Sequence, residues 1–433
     1  MKPSQDDRPA AVGGDPPHAD PLASPEAGRD HPPLPRERGP EDSPSGIEDA
    51  LAWIDAEAAE RRRRGLQRRL VPRGPAIPGR LIGQDGRSLL NLASNDYLGL
   101  AADPRLIAAA TRAAERFGWG AGASPLVSGW REPHEELAEA LADFERTEAA
   151  VLFPSGFAAN LGTIAALVGS GDAVYADRLN HACLIEGVKL AGAALRVYPH
   201  KDAGRLELIL RRDRGRYRRA LIATDGVFSM DGDLAPLADL ADLADRFGAM
   251  LLVDEAHGTG VFGPEGRGAA SECGVAERVH IRVGTLSKAL GSLGGFVAGS
   301  RRLIDHLIHR APTLIYSTAL PAAAAAAACE ALAIAQAEPW RRARVRALGE
   351  SLRRSLVTLG LDVIPSVGPI VPVRLGAPER AVAWADRLRD RGFLVPAIRP
   401  PTVPQGTSRL RISLTAAHTE EDLASLVQAL RSL

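Results

Sequence analysis

Lysine is rare in this chain. Of its 53 basic residues only four are lysine, Lys2, Lys189, Lys201 and Lys288, and arginine supplies the rest. Lys288 sits in GTLSKALGSLGGF, residues 284–296, among glycines and short apolar side chains. A chain that uses arginine for charge almost everywhere else has placed an amine here. An amine can add to an aldehyde; a guanidinium stays protonated and delocalised and cannot. Apolar neighbours disfavour the ammonium form and help to supply the free base.

The run IRVGT leads directly into that lysine. Two other strand-like runs end in the same manner: ALIAT runs into Asp225 and VFSMDGD, which carries Ser229, and MLLV runs into Asp254 and EAHGTG, which carries His257. A carboxylate at the end of a buried strand can hold a proton on a heteroaromatic nitrogen by charge pairing. With an aldehyde-binding amine beside it, that is the equipment pyridoxal phosphate needs to act as an electron sink. A phosphate also needs donors. FPSGFAAN places Ser155, Gly156 and Phe157 at a glycine turn that opens a helical run, whose first N–H groups are free to face an anion. Thr285, one helical turn before Lys288, adds a hydroxyl. A Ser-Gly pair before a helix is ordinarily a cap, and an aspartate ending a strand is ordinarily a turn residue. In the company of Lys288 they ask for a chemical explanation.

The elements that must bring these residues together alternate along the middle of the chain. AAVLFPSG, DAVYADR, ALIATDG, MLLVDEAH, IRVGTLSK and GGFVAGS read as strands, with helical patterns such as LADLADLADRFG between several of them. That rhythm predicts an α/β fold with a mostly parallel sheet between helices, and ligands bind such sheets beyond the carboxyl ends of the strands. Residues 1–46, rich in Pro, Gly, Asp and Arg, read as a disordered extension without the apolar core of a secretory signal. Residues 47–95 read as a charged amphipathic helix and a hairpin, 96–330 as the large domain, and 331–433 as a smaller C-terminal α+β domain.

Composition excludes other classes. Basic and acidic residues balance at 53 each, so nothing favours nucleic acid or a membrane surface. The alanine-dominated ALPAAAAAAACEALAIAQA is broken by Glu330 and reads as a helix of a soluble protein. Three cysteines without CxxC spacing indicate neither a disulfide framework nor a zinc site, and no metal is expected; the expected compartment is the reducing cytoplasm. GTGVFG, residues 258–263, fits GxGxxG but continues into a Pro- and Gly-rich loop where a dinucleotide fingerprint would open a helix.

Over residues 50 to 433, the motifs DEAHGTGVFGPEGRG, GTLSKALGSLGGF, FPSGFAANLG, TDGVFSMDGD and NLASNDYLGL resemble the α-oxoamine synthase group of fold-type I pyridoxal-phosphate enzymes. DEAHGTG and AIRPPTVPQGTSRLRISLTAAH resemble the branch of that group that condenses L-alanine with a pimeloyl thioester in biotin biosynthesis; sister enzymes use glycine or serine. The resemblance implies that Lys288 binds the cofactor aldehyde and moves the substrate proton. It implies that Asp254 pairs with the ring nitrogen, that His257 and Ser229 lie near the ring hydroxyl, and that His181, in RLNHACLIEG, stacks on the ring. Gly156, Phe157 and Thr285 then serve the phosphate, and Thr318, in IYSTALP, comes from a neighbouring subunit, which implies a homodimer with shared sites. Arg411 in RLRIS corresponds to the arginine that grips the amino-acid carboxylate, and Asn95, Arg399 and Thr402 fall at substrate-side positions. Arg68 corresponds to an arginine near the acyl substrate, with Arg69 the alternative. The acyl carrier is coenzyme A or an acyl carrier protein.

Overall fold

The structure, a computed structural model, describes residues 50–433; the expected disordered extension lies outside the described residues. The chain divides into two compact units, residues 1–67 and 68–433. What is described of the first is one helix, α1 (Trp53–Arg63), none of whose residues is buried. It is supported along its own surface by the ion pairs Glu57–Arg61 at 2.9 Å and Glu60–Arg63, spaced one turn apart.

The second unit opens with three short strands, β1 (Ala76–Ile77), β2 (Arg80–Ile82) and β3 (Ser88–Asn91), followed by α2 (Pro104–Phe117) and α3 (Glu132–Glu145). Strands and helices then alternate as the hydrophobic pattern predicts: β4 (Ala149–Phe153), α4 (Gly156–Leu167), β5 (Ala173–Asp177), α5 (Ala182–Ala191), β6 (Ala194–Tyr198), α6 (Ala203–Asp213), β7 (Ala220–Asp225), α7 (Leu237–Phe247) and β8 (Met250–Asp254). After a long loop come β9 (Ile281–Thr285), β10 (Gly295–Gly299), α8 (Arg301–Arg310), α9 (Ala322–Ala337) and α10 (Trp340–Thr358). The alanine-rich run is α9, and no helix among the described residues is long and apolar enough to cross a membrane.

Seven strands form the central sheet in the order β4-β10-β9-β8-β7-β5-β6. Pairings from β6 to β9 are parallel, and only β10 runs antiparallel to its neighbours. Every residue of β5, β7 and β9 is buried, as expected of strands covered on both faces. Alternation assigns the faces. Leu221 and Ala223 of β7 join Val174, Leu252 and Ile281 on the side of α4, α5 and α8, while Ile222 joins Tyr175, Leu251 and Val253 on the side of α7 and α9.

The C-terminal part contributes β11 (Ile370–Gly376), α11 (Pro378–Asp390), β12 (Phe393–Leu394), β13 (Ala397–Ile398), β14 (Ser408–Ser413) and α12 (Glu420–Arg431). β11, β14 and β13 make an antiparallel sheet. β12 pairs with β3 in parallel, so the early hairpin shares a four-stranded sheet with the C-terminal segment. The sequence pattern, read locally, treats these as separate regions.

Candidate active site

Strand register assembles the first pair of groups. Asp225 at the end of β7 stands opposite Asp254 at the end of β8, and Val283 of β9 stands opposite Asp254 on the other side. Both carboxylates are buried, and neither is bare. Asp254 Oδ1 accepts the N–H of Ala256 at 2.8 Å, and Oδ2 accepts the Asn160 side-chain amide at 2.7 Å. Asn160 lies one turn into α4, on the face turned to the sheet. Asp225 Oδ2 accepts the His181 backbone N–H at 2.7 Å. Burial, and then the charge of Asp254, hold the Asp225 carboxyl well above the usual carboxylate range.

Lys288 follows β9 in a loop. Its Nζ lies 2.8 Å from His257 Nε2, and His257 Nδ1 lies 2.6 Å from the Tyr97 hydroxyl. Burial lowers the affinity of Lys288 for its proton; Asp254 and Asp225 oppose that, and Arg411 adds to it. His257 is pushed well below its ordinary value, by burial first and then by the positive charges of Lys288 and Arg411. Both shifts favour the uncharged forms, that of His257 the more strongly.

At the phosphate end, Ser155 caps α4 by accepting the N–H of Ala158 at 3.1 Å. The N–H groups of Gly156 and Phe157 carry no hydrogen bond among the described residues. Gly295, at the start of β10, approaches so closely that a Cβ there would stand 2.5 Å from the Gly156 nitrogen. Thr285 sits behind this turn, but not one helical turn before Lys288 as expected, because residues 286–288 form a bend and not a helix. Its hydroxyl donates to the Gly294 carbonyl at 2.9 Å and accepts the N–H of Ser287 at 3.2 Å, closing the loop that carries the lysine.

Arg411, on β14, is buried and fully engaged. Its Nε donates to the Ser229 carbonyl at 2.6 Å, Nη1 to the Ser413 hydroxyl at 2.8 Å, and both terminal nitrogens to Asn95 Oδ1 at 3.2 and 3.1 Å. Ser229 thus enters the network through its backbone. His181 caps α5, with Nδ1 accepting the Cys183 N–H at 3.3 Å, and its ring is exposed at the rim. Phe157 and Thr318 are exposed, Thr402 is exposed in the turn after β13, and Arg399 is half-buried beside it. Arg68 and Arg69 are exposed and make no hydrogen bond or ion pair among the described residues.

Three residues absent from the sequence-based site belong to this network: Tyr97, Asn160 and Ser413. Tyr97 stands two residues after Asn95 in the same turn, and Asn160 is the polar residue ending FAAN at the helix start. Those were the available signals.

The residues fit pyridoxal phosphate. Two unpaired N–H groups at the start of a twelve-residue helix suit a phosphate, a buried carboxylate at a strand end suits a ring nitrogen, and an amine with weakened proton affinity suits an aldehyde. Comparison with known proteins agrees. The profile of the aminotransferase class I and II family matches residues 87–430. An 8-amino-7-oxononanoate synthase from Anaeromyxobacter dehalogenans is 52% identical over 384 residues, covering 89% of this chain and 96% of that one. A serine palmitoyltransferase from S. paucimobilis, solved with PLP and myriocin bound, superposes with a TM-score of 0.83 at 30% identity, over 89% of this chain and 98% of that one. The 8-amino-7-oxononanoate synthase of Francisella tularensis superposes with a TM-score of 0.69 at 28% identity, over 79% of this chain and 97% of that one.

Proposed function

The chain belongs to the class I and II aminotransferase family, in its 8-amino-7-oxononanoate synthase branch, and from that premise we propose that it condenses L-alanine with a pimeloyl thioester. It is a pyridoxal-phosphate-dependent acyltransferase of biotin biosynthesis. The proposed reaction forms one carbon–carbon bond, breaks the carbon–sulfur bond of the thioester, and releases carbon dioxide and the thiol carrier. The observation that most supports this reading is the placement of the Lys288 amine 2.8 Å from neutral His257, at the same rim as the Asp254 carboxylate.

When bound, pyridoxal phosphate supplies an aldehyde for an amine and a protonated ring that spreads the negative charge left on a neighbouring carbon. In this reading Lys288 holds the aldehyde, takes the α-proton of alanine on Nζ once displaced, and returns a proton to the product carbon. Asp254, fixed by Asn160 and the Ala256 N–H, keeps the proton on the ring nitrogen. Gly156 and Phe157 bind the phosphate through their N–H groups, with Thr285 behind them, and His181 covers the ring and excludes water. Arg411 grips the alanine carboxylate by turning to it the two terminal donors that Asn95 Oδ1 receives in the structure, while Ser229 and Ser413 keep the guanidinium in plane. Arg399, Thr402 and Arg68 or Arg69 line the acyl side.

The proposed assembly is a homodimer with shared sites. Thr318 is exposed in its own subunit, and the segment around it joins residues 123–129 through the Ala319 N–H to the Ala123 carbonyl. Tyr316 (84% exposed), Val127 (80%) and Trp119 (78%) leave apolar surface in water there, as a self-complementary interface would use.

Incubating the protein with pimeloyl-coenzyme A or pimeloyl-acyl carrier protein, and with alanine, glycine or serine in turn, tests the reading by product mass. The expected result is the mass of 8-amino-7-oxononanoate from alanine with at least one thioester. A product formed from glycine or serine in place of alanine would overturn it.

A further inference from the structure

Tyr97 occupies a place in this network to which the proposed reaction gives no role. Its ring is fully buried, and its hydroxyl lies 2.6 Å from His257 Nδ1, 3.2 Å from Asn95 Oδ1 and 3.4 Å from Arg411 Nη2. The hydrogens can be assigned by counting donors. A guanidinium only donates, so the phenol oxygen is the acceptor toward Arg411. Asn95 must turn its oxygen to the guanidinium, because its amide nitrogen would face donor with donor, and that oxygen already receives both terminal nitrogens of Arg411. The single phenolic hydrogen therefore goes to the nearest acceptor, His257 Nδ1. A neutral imidazole that accepts at Nδ1 carries its hydrogen on Nε2. Nε2 faces the Lys288 amine at 2.8 Å, so the amine receives that hydrogen with its lone pair.

We infer that Tyr97 is a positioning residue whose hydroxyl fixes His257 as the Nε2–H tautomer and thereby holds Lys288 as an unprotonated amine. The inference rests on the proposed role of Lys288. It also gives His257 a fixed donor for the cofactor's ring oxygen, the group that the family resemblance puts next to this histidine. Other charged and titratable groups act on the lysine: Asp254 from β8 and Asp225 from β7 favour its ammonium form, Arg411 from β14 disfavours it, and Cys183 and His181 stand at the start of α5. The tautomer assignment rests on the 2.6 Å Tyr97–His257 contact and on Asn95 Oδ1 being already taken by two guanidinium donors, and the charge of Lys288 that these groups set acts on it through Nε2.

The test uses full-length, cofactor-free protein labelled with nitrogen-15 at histidine, with His257 signals identified by their loss in His257→Gln. The wild-type protein is expected to show a protonated Nε2 and a bare, hydrogen-bonded Nδ1. Tyr97→Phe keeps the ring and removes the donor; both signals should move toward those of interconverting tautomers. In the same variant the pH midpoint for the visible absorbance that forms when Lys288 binds added pyridoxal phosphate should rise by about one unit, tenfold more of the amine being protonated at a given pH. A 3-fluorotyrosine placed at position 97 keeps ring, hydroxyl and fold; with its stronger phenol donor, it should retain the Nε2–H tautomer and shift Nδ1 further. Wild-type His257 protonated at Nδ1, or a folded Tyr97→Phe protein with unchanged signals and unchanged midpoint, overturns the inference. If Lys288→Ala keeps the visible absorbance, the role given to Lys288 falls instead, and the tautomer measurement still answers for Tyr97 by itself.

Discussion

The Asn160 side chain donates to Asp254 at 2.7 Å, joining the start of α4 to the end of β8 across 94 residues of chain. The same helix start offers the two unpaired N–H groups of Gly156 and Phe157. One helix thus fixes both the carboxylate proposed for the ring nitrogen and the donors proposed for the phosphate, which sets the distance between them. Asp254→Asn removes the charge and is expected to leave cofactor binding detectable while turnover with alanine falls by about 10²-fold or more. Asn160→Ala leaves the charge but takes the amide donor from one oxygen, which keeps only the weak Cys183 thiol contact at 3.9 Å, and loss of that hydrogen bond should lower turnover about tenfold. Steady-state rates with cofactor occupancy measured in parallel check both; undiminished turnover in Asp254→Asn would count against the pairing role.

Lys288→Ala should abolish both the visible absorbance on adding pyridoxal phosphate and turnover. Lys288→Arg is expected to fail equally, since it keeps a positive charge but offers no amine that can lose its proton. Absorption spectra of the reconstituted variants decide the matter, and a coloured, active Lys288→Ala protein would sink the assignment.

His200 predicts a pH-dependent stability. It bonds to Asp177 through Nδ1 at 3.0 Å and to Asp233 through Nε2 at 3.1 Å, while Lys201 also pairs with Asp233 at 3.0 Å. Burial lowers its proton affinity, but the bonds to the two carboxylates and their charge outweigh that and raise the value to about 9. Because the folded value exceeds the unfolded one near 6.5, the stabilisation is complete below about pH 6.5 and is lost as pH rises through about 9. The loss is on the order of 3 kcal/mol. Denaturant titrations at pH 6 and pH 9.5 should show this fall in the wild-type protein and a smaller one in His200→Gln; equal slopes would contradict it. Asp233 closes the loop that presents Ser229 to Arg411, so the same variant reports on how firmly that loop is held.

Glu255 explains the glycines that follow it. Its buried carboxylate accepts the N–H groups of Ala269 and Ala270 at 2.7 and 2.8 Å, and burial, offset in part by those bonds, raises its value to about 7. A Cβ at Gly258 would stand 1.9 Å from its carboxylate, and one at Gly268, where φ is +106°, would stand 2.5 Å away. Gly268→Ala combines a left-handed backbone with a collision against a fixed group, and a destabilisation of about 2 kcal/mol or more is expected in denaturant titration. A neutral result would mean that the 254–270 loop yields more readily than its hydrogen bonds indicate.

The pattern of what the sequence makes legible follows from where the information lies. Asp254, Lys288 and Thr285 stand at or just after apolar runs, so reading the strands reads their placement at one rim. Ser155 and Gly156 are legible because a helix start has a local signature. Tyr97 meets His257 across 160 residues, and Arg411 meets Ser229 across 182 through a backbone carbonyl that has no side-chain signature at all. Contacts of that kind are decided by how the turn after β3 meets the loop after β8 and how β14 meets the loop after β7, and no periodicity encodes it. The bend at 286–288 is a related case: the short apolar residues around Lys288 suit a helix, but Thr285 and Ser287 both donate to the Gly294 carbonyl and hold the chain in a closed loop.

Arg411→Lys tests the substrate end of the site. In the wild-type protein Nε is occupied by Ser229, Nη1 by Ser413, and both terminal nitrogens by Asn95, so the guanidinium plane is fixed by protein groups on three sides. A lysine preserves the charge, but a compact ammonium cannot hold the Ser229 carbonyl and the Ser413 hydroxyl while turning two parallel donors from the Asn95 oxygen to a carboxylate. Loss of one charged hydrogen bond weakens binding by about 1.5–3 kcal/mol, so KM for alanine should rise about 10- to 100-fold. KM for the pimeloyl thioester should change far less, because its proposed contacts lie on the Arg399 and Thr402 side. Initial rates with each substrate varied in turn separate the two effects; an equal rise in both would show that Arg411 shapes the whole site and does not grip the amino acid.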